Sequence, residues 1–129
     1  MRQRAWLAAA SLLLSAACAT HHRFPPAYTP NVGEVQTGIA SWYGPGYHGN
    51  RTSSGEVYDQ EALTAAHATF VFGTRVKVTL LSTRRSIVVR INDRFPNHKG
   101  RVIDVSRAAA RAIGLIGPGT GRVRVEVVG

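Results

Sequence analysis

The sequence predicts a small, mostly β protein folded as a closed β-barrel. Five stretches alternate polar with apolar residues or are rich in β-branched residues: 38–43, 75–81, 86–92, 101–105 and 122–128. Polar, glycine-rich loops separate them, and one short segment has the capping residues of a helix. An exported monomer has to protect exposed strand edges from pairing with other chains. Closure into a barrel removes such edges.

The first 17 residues are predicted to be a secretory signal peptide. Arg2 and Arg4 precede the apolar stretch 5–14, and the small residues 15–17 follow it. This stretch is too short to span a bilayer of about 30 Å. We therefore expect export from the cytoplasm.

Cys18 is the only cysteine, so an internal disulfide bond is excluded. Its position after small residues resembles the lipobox of bacterial lipoproteins, which implies a lipid anchor. That pattern prefers leucine where this chain has Ser15. The alternative to lipidation is therefore cleavage by ordinary signal peptidase, which would give a soluble periplasmic protein. Ala19 is not the aspartate of inner-membrane retention, and the resemblance therefore favours the outer membrane.

Residues 18–35 are expected to be a lipid-anchored, proline-rich linker, and 36–129 the folded domain. The linker has three prolines and little periodicity, as expected of a tether. The first predicted strand, 38–43, leads into Gly44-Pro-Gly-Tyr-His-Gly49, which fits the dinucleotide fingerprint G-x-G-x-x-G. Turn-forming residues follow at 50–55 instead of the required helix, so we exclude a nucleotide site.

One or two short helices are expected among the strands. A turn of helix is predicted near 61–66, ahead of the strands at 75–81, 86–92 and 101–105. Ser106 is a good N-cap for a helix over 107–113, and Gly114 is placed to end it. The turn at 117–121 then leads into the last strand.

The charge of the chain favours an anionic partner. Its formal net charge is +9, from 16 Lys and Arg against 7 Asp and Glu. Such a surface suits nucleic acid, anionic lipid or an acidic wall polymer. Export, dispersed basic residues and the lack of an aromatic RNA-binding motif exclude nucleic acid.

Acidic residues are few, which makes their positions informative. Glu56 and Asp59 lie in a polar loop, His67 follows, and Asp93 comes directly after an apolar strand. Carboxylates at strand ends beside a polar loop are typical of glycoside cleavage, where one of them holds a proton.

Spacing alone favours structural roles for these residues. The Asp93-Arg94 pair could form an Asx-turn with a salt bridge, and Asp104 is interpreted as a structural hydrogen-bond acceptor near the helix start. Glu56 and Asp59 could lie in a solvated loop, and His67 at the edge of the core. The set His48, Glu56, Asp59 and His67 lacks a metal-ligand spacing, so neither a metal nor a cofactor is expected.

Several motifs resemble the rare lipoprotein A family, in the same order and at the same intervals. They are Gly38-Ile-Ala-Ser-Trp-Tyr-Gly44, His48-Gly49, Thr52-Ser-Ser-Gly-Glu-Val-Tyr-Asp59, Leu63-Thr-Ala-Ala-His67, Phe72-Gly-Thr74, Val89-Arg-Ile-Asn-Asp-Arg94 and Gly100-Arg-Val-Ile-Asp-Val-Ser106. The resemblance implies a six-stranded double-psi β-barrel. It also implies an endolytic-type lytic transglycosylase that cleaves the MurNAc-GlcNAc bond of peptidoglycan in wall remodelling or division. A non-catalytic, expansin-like glycan-binding module is the alternative.

The resemblance also implies roles for individual residues. Asp93 would be the acid that then acts as the base, and Glu56, Asp59 and His67 would complete the catalytic set. Substrate contacts would come from Trp42, Tyr43, His48 and Arg94. Trp42 could equally be a core residue.

Two departures from the family pattern limit this comparison. Family members often have a further C-terminal domain, whereas this sequence ends at Gly129, so septal targeting is not carried over from the resemblance. The family often has glycine after Asn-Asp-Arg, whereas this chain has Phe95-Pro-Asn-His98. The expected partners are glycan strands and, through the lipid anchor, a membrane, and the protein is expected to be a monomer.

Overall fold

The computed structural model describes residues 25–96 and 100–129. The predicted signal peptide, the predicted lipidation site Cys18 and His98 lie outside the described residues. The single helix in the described ranges has seven residues, and no helix there is long and apolar enough to cross a membrane.

The described chain forms a closed barrel of six strands and one short helix, which confirms the predicted fold class. The strands close in the order β1-β5-β2-β4-β3-β6. The elements are β1 (Val35–Trp42), β2 (Thr64–Ala66), β3 (Arg75–Leu80), β4 (Arg85–Asp93), β5 (Arg101–Val105), α1 (Arg107–Ile113) and β6 (Thr120–Val127).

The barrel combines two parallel strand pairs with four antiparallel pairs. β1 runs parallel to β5, and β2 runs parallel to β4. The other neighbours, β1·β6, β2·β5, β3·β4 and β3·β6, are antiparallel. This mixed pairing is the expected double-psi arrangement, and it makes β4 run in the opposite direction to β1 and β5.

The prediction of a helical turn near 61–66 is wrong, because Thr64–Ala66 forms strand β2, which was not among the five predicted strands. All three residues are buried, and they pair with β4 on one side and β5 on the other. Alanine favours helices locally, but pairing on both edges within a buried site overrides that preference.

Alternating apolar side chains of the strands fill the interior. In β3 the buried residues are Val76, Val78 and Leu80, and in β6 they are Val123, Val125 and Val127. Phe70, Ile103 and Ile113 complete the same cluster from other elements. Successive residues of a strand point to opposite faces, so every second residue is buried in these strands. The residues between them face outward and can be polar or charged.

Helix α1 has the predicted caps. Ser106 is extended and fully buried, and its hydroxyl oxygen accepts a hydrogen bond from the Ala109 N–H. Gly114 ends the helix in the left-handed conformation, with φ of 83°. A residue with a Cβ atom would be strained at that φ, so the sequence determines both helix ends.

Candidate active-site cleft

A cleft of about 680 Å³ lies beside the last residues of β1 and β4, and Asp104 of β5 also lines it. Four predicted site residues line it: Trp42, Tyr43, Asp93 and Arg94. The cleft is therefore the place where the first loop and the end of β4 can act on one ligand.

Two aspartates occupy one row of residues across four neighbouring strands. Ser41 of β1 is in register with Asp104 of β5, and Asp104 is in register with Ala66 of β2. Ala66 is in turn in register with Asp93 of β4. Residues directly opposite in a sheet face the same side, and strands lie about 4.8 Å apart, so the two aspartate backbones are roughly 10 Å apart.

Three hydrogen-bond donors hold the Asp93 carboxylate. The Tyr43 hydroxyl donates to Oδ2 at 2.7 Å. The backbone N–H groups of Ser53 and Arg94 each donate to Oδ1 at 2.8 Å. An ionised carboxylate accepts hydrogen bonds and donates none, so this set of partners matches the ionised form.

Tyr43 is positioned to orient Asp93. Burial raises the pKa of the Tyr43 phenol, and its hydrogen bond to Asp93 raises that pKa further. The phenol therefore stays protonated and remains a donor. Its ring contacts the Tyr58 ring edge-on, with centroids 4.4 Å apart, which fixes the direction of the hydroxyl.

Asp104 lines the same cleft and, within residues 25–96 and 100–129, has fewer hydrogen-bond partners than Asp93. The Ser41 hydroxyl donates to its Oδ1 at 3.1 Å. Burial raises the pKa of Asp104 to about 6, and the nearby Asp93 charge adds to the increase. Ser41 and Arg101 act in the opposite direction. A carboxyl of this kind holds a proton at higher pH than an exposed aspartate does.

Arg94 does not form the salt bridge with Asp93 that was considered from the sequence. Its guanidinium donates to the carbonyl oxygens of Phe70 at 2.7 Å and His67 at 3.1 Å. The same group lies 4.2 Å from the centroid of the Phe72 ring. The side chain of Arg94 thus secures the segment after β2, while its backbone N–H binds Asp93.

Glu56 does not line the cleft but supports the strand that carries Asp93. Its two carboxylate oxygens accept from Arg90 at 2.8 and 2.9 Å, and Asn92 donates to Oε2 at 2.8 Å. The hydrogen bond from Asn92, followed by that from Arg90, lowers the pKa of Glu56. Glu56 therefore connects the loop before β2 to the residue that precedes Asp93.

Asp59 and His48 have contacts within the loops beside the cleft. Asp59 Oδ1 accepts from the Glu61 N–H at 2.9 Å, and His48 Nδ1 accepts from the Gln60 N–H at 3.1 Å. Both side chains are exposed. Neither lines the 680 Å³ cleft.

His67 is buried and faces a second, smaller cavity of about 330 Å³. Only 3% of its surface is exposed, and its ring stacks on Phe70. Nδ1 accepts from the N–H groups of Thr69 and Phe70, which leaves Nε2 to donate to Gln36 Oε1 at 2.8 Å. Burial lowers the pKa of His67 to about 4, so the ring is neutral at pH 7.

His67 is also linked to Asp93 through the backbone. The N–H of His67 donates to the Asp93 carbonyl at 3.0 Å. His67 thereby helps to fix the end of β4 without lining the cleft.

Residues that sequence reasoning did not select also line the cleft. Tyr47 is 57% exposed at its rim, and Arg51 and Arg101 add positive charge. Asp104 was interpreted as structural because its position opposite Ser41 follows only from strand register. Tyr47 lies inside the glycine loop, so its aromatic ring was the one available signal.

Metal binding has no cluster to support it in residues 25–96 and 100–129. No three His, Cys, Asp or Glu side chains there lie close enough together to share an ion. His48, Glu56, Asp59 and His67 bind separate partners instead.

Comparison with known proteins identifies a family for most of the chain. Residues 35–126 match the family model described as Lytic transglycolase. A relative from Synechocystis, named probable endolytic peptidoglycan transglycosylase RlpA, is 61% identical over 94 residues, covering 73% of this chain and 29% of the relative. The endolytic peptidoglycan transglycosylase RlpA of Campylobacter jejuni is 55% identical over 98 residues. The match covers 76% of this chain and 36% of that relative. The chain thus spans about a third of the length of these relatives.

Solved structures with a similar fold are more distant in sequence. The Streptomyces papain inhibitor aligns with a TM-score of 0.64 and 21% identity, covering 79% of this chain and 100% of the inhibitor. An expansin of Clavibacter michiganensis, solved in complex with cellohexaose, aligns with a TM-score of 0.59 and 19% identity, covering 74% and 51%. At this identity the likeness concerns the barrel fold alone.

Proposed function

The chain belongs to the Lytic transglycolase family, and we propose that it is an endolytic lytic transglycosylase that cleaves peptidoglycan glycan strands. The bond cleaved is the β-1,4 bond between MurNAc and GlcNAc, and the new end is a 1,6-anhydro sugar. The relatives that match at 55–61% identity are named for this activity. The observation in the structure that carries the proposal is Asp93, which three donors hold at the wall of an open cleft.

The reaction needs proton transfer and positioning and does not need a protein nucleophile. A carboxylic acid protonates the glycosidic oxygen while the muramyl 6-hydroxyl attacks its own anomeric carbon. In the simplest mechanism Asp93 performs both proton transfers: it takes up a proton, acts first as the acid and then acts as the base. Tyr43 keeps its carboxylate in position through the 2.7 Å hydrogen bond.

Aromatic and polar groups in the cleft suit a sugar chain. Tyr47 is exposed at the rim, and its ring centroid is 6.0 Å from that of Tyr43, so it offers an apolar face to a sugar ring. Trp42 is half-buried, lines the cleft and also packs against the core, so both roles considered for it from the sequence can apply. Arg94, through its backbone N–H, supports Asp93.

The remaining predicted residues would act through others. Glu56 holds Asn92, and His67 holds the carbonyl of Asp93, so both would be positioning residues. Asp59 and His48 would shape the loops that flank the cleft. We assign none of these four residues direct contact with the cleaved bond.

The same proposal implies action outside the cytoplasm, on the cell wall. Residues 1–17 would direct export, and acylation of Cys18 would anchor the protein to the outer membrane. The mass of the mature protein tests the anchor, because a diacylated cysteine adds lipid mass that signal cleavage alone does not add.

The activity is tested by incubating the purified protein with peptide-free glycan strands. Mass spectrometry should detect anhydro-muramyl ends with the wild-type protein. Asp93→Asn should lower their yield by about a hundredfold or more, as for loss of a general acid or base. Glu126→Gln, which alters an ion pair with Arg124 outside the cleft, should retain activity and is the matched control.

A binding module is the other outcome of this experiment. Retention of the strands by wild-type protein without any anhydro ends would contradict the enzyme and support an expansin-like role. Equal yields from wild type and Asp93→Asn would contradict only the role of Asp93.

A further inference from the structure

We propose that Asp104 is a second reacting carboxyl, which donates the proton to the glycosidic oxygen while ionised Asp93 accepts the proton of the attacking hydroxyl. This inference rests on the proposed function and divides between two residues the two proton transfers that the simplest mechanism gives to Asp93. Asp104 qualifies because it lines the same cleft and lies in the same row of residues.

The geometry brings both aspartates to one substrate site. Each is in register with Ala66, from opposite edges of β2. Ala66 has only a methyl side chain, so the residue between the two aspartates in this row is small. With backbones roughly 10 Å apart, the two side chains can reach different oxygens of one sugar ring and its glycosidic bond.

The partners of the two residues assign the roles. Asp93 faces three donors and so matches an ionised base. Among the described residues, Asp104 has one side-chain partner, the hydroxyl of Ser41, which can reverse its hydrogen bond and accept from a protonated carboxyl. Two acids in unequal environments commonly take opposite roles in glycoside cleavage.

The charged and titratable groups around Asp104 also favour a retained proton. Arg101 on its own strand and Ser41 on β1 favour the charged form, whereas burial and the Asp93 charge on β4 oppose it. The phenols of Tyr43 and Tyr58 stay protonated because burial raises the pKa of both. Burial has the largest effect, so the proton remains on Asp104 up to a pH of about 6.

The proposed step balances without a co-reactant. The bond between the anomeric carbon and the glycosidic oxygen breaks, and the Asp104 proton goes to that oxygen. The 6-hydroxyl oxygen forms the new bond to the anomeric carbon, and its proton goes to Asp93. Return of that proton from Asp93 to Asp104 through solvent restores the starting state.

The experiment compares wild type, Asp104→Asn and Glu61→Gln on peptide-free glycan strands across pH. Asp104→Asn should lower kcat by about 10² to 10⁴ and change KM by less than about threefold. Wild-type kcat should fall as pH rises through about 6, and the residual activity of Asp104→Asn should lack that decline. Glu61 is exposed and pairs with Arg107 and Arg111 outside the cleft, so Glu61→Gln should match wild type.

The same comparison distinguishes a structural role for Asp104. The amide oxygen of asparagine can still accept from Ser41, so a purely structural Asp104 predicts that Asp104→Asn keeps both its kcat and the wild-type pH profile. That result would overturn the inference and leave the proposed function intact. A wild-type protein that produces no anhydro ends would overturn both. Thermal unfolding at pH 7 checks that each variant is folded.

Discussion

Single hydrogen bonds control the position of the reacting group in this site. Asp93 is fixed by two backbone N–H groups and by one side chain, that of Tyr43. The backbone donors cannot be removed without changing the loop, whereas the phenol hydroxyl can. Tyr43 is therefore the residue whose contribution to positioning can be measured in isolation.

We expect Tyr43→Phe to lower kcat about tenfold and to leave KM nearly unchanged. The change removes the hydroxyl donor to Asp93 and keeps the ring that contacts Tyr58, and one such bond to a charged group corresponds to about 1.5 kcal/mol. Steady-state kinetics on glycan strands measure both constants. An unchanged kcat would show that the backbone donors alone position Asp93.

The site residues differ in how far the sequence could predict them. Asp93 was recognisable as an acid that directly follows an apolar strand, and Tyr43 as an aromatic residue beside the glycine loop. Asp104 was not recognisable as a site residue. Its place in the cleft depends on how β5 is aligned with β1 and with β2. Register between strands distant in sequence depends on tertiary packing, which local patterns do not encode.

At the scale of elements, capping residues and residue alternation correctly predicted the structures that depend on neighbouring residues alone. Helix α1 has both of its predicted caps, and β3 and β6 alternate as expected. β2 was missed because a strand of three residues has too few positions for a period, and its sequence Thr-Ala-Ala also suits a helix.

Ser106 gives a test at this scale, because it connects α1 to the loop before β2. Its hydroxyl donates to the Ala62 carbonyl at 2.6 Å and accepts from the Ala109 N–H. Ser106→Ala should lower the free energy of unfolding by about 2 kcal/mol, from the lost cap and the unpaired carbonyl. Urea unfolding measures this change.

Ser82→Ala is the matched control for Ser106→Ala. Ser82 is exposed in the turn between β3 and β4, and its substitution should change the free energy of unfolding by less than about 0.5 kcal/mol. Equal values for the two variants would contradict the capping role of Ser106.

At the scale of the whole molecule, buried His67 and partly buried Asp104 give stability opposite dependences on pH. The pKa of His67 is lowered from 6.5 to about 4, so protonation of the unfolded chain reduces stability as pH falls through that range. The pKa of Asp104 is raised from 3.8 to about 6, so its contribution is present below pH 4 and is lost as pH rises through 6. The pH ranges over which His67 and Asp104 change the stability overlap, and the two changes have opposite signs.

We expect the stability of the wild-type protein to change little between pH 4 and 6.5, because the two effects offset each other. Asp104→Asn removes one of them and should raise the free energy of unfolding at pH 7 by up to about 3 kcal/mol, a gain that disappears near pH 4. Urea unfolding at several pH values gives both curves. If the two curves of free energy of unfolding against pH ran parallel, they would contradict the raised pKa of the partly buried Asp104.

The most direct test of the account is the chemistry of the new chain ends, measured by mass spectrometry after digestion of peptide-free glycan in isotope-labelled water. Attack by the muramyl 6-hydroxyl on its own ring predicts ends that lack one water molecule and carry no label. Ends that have gained labelled oxygen would mean that water is the nucleophile, and the transglycosylase mechanism proposed for this cleft would be wrong.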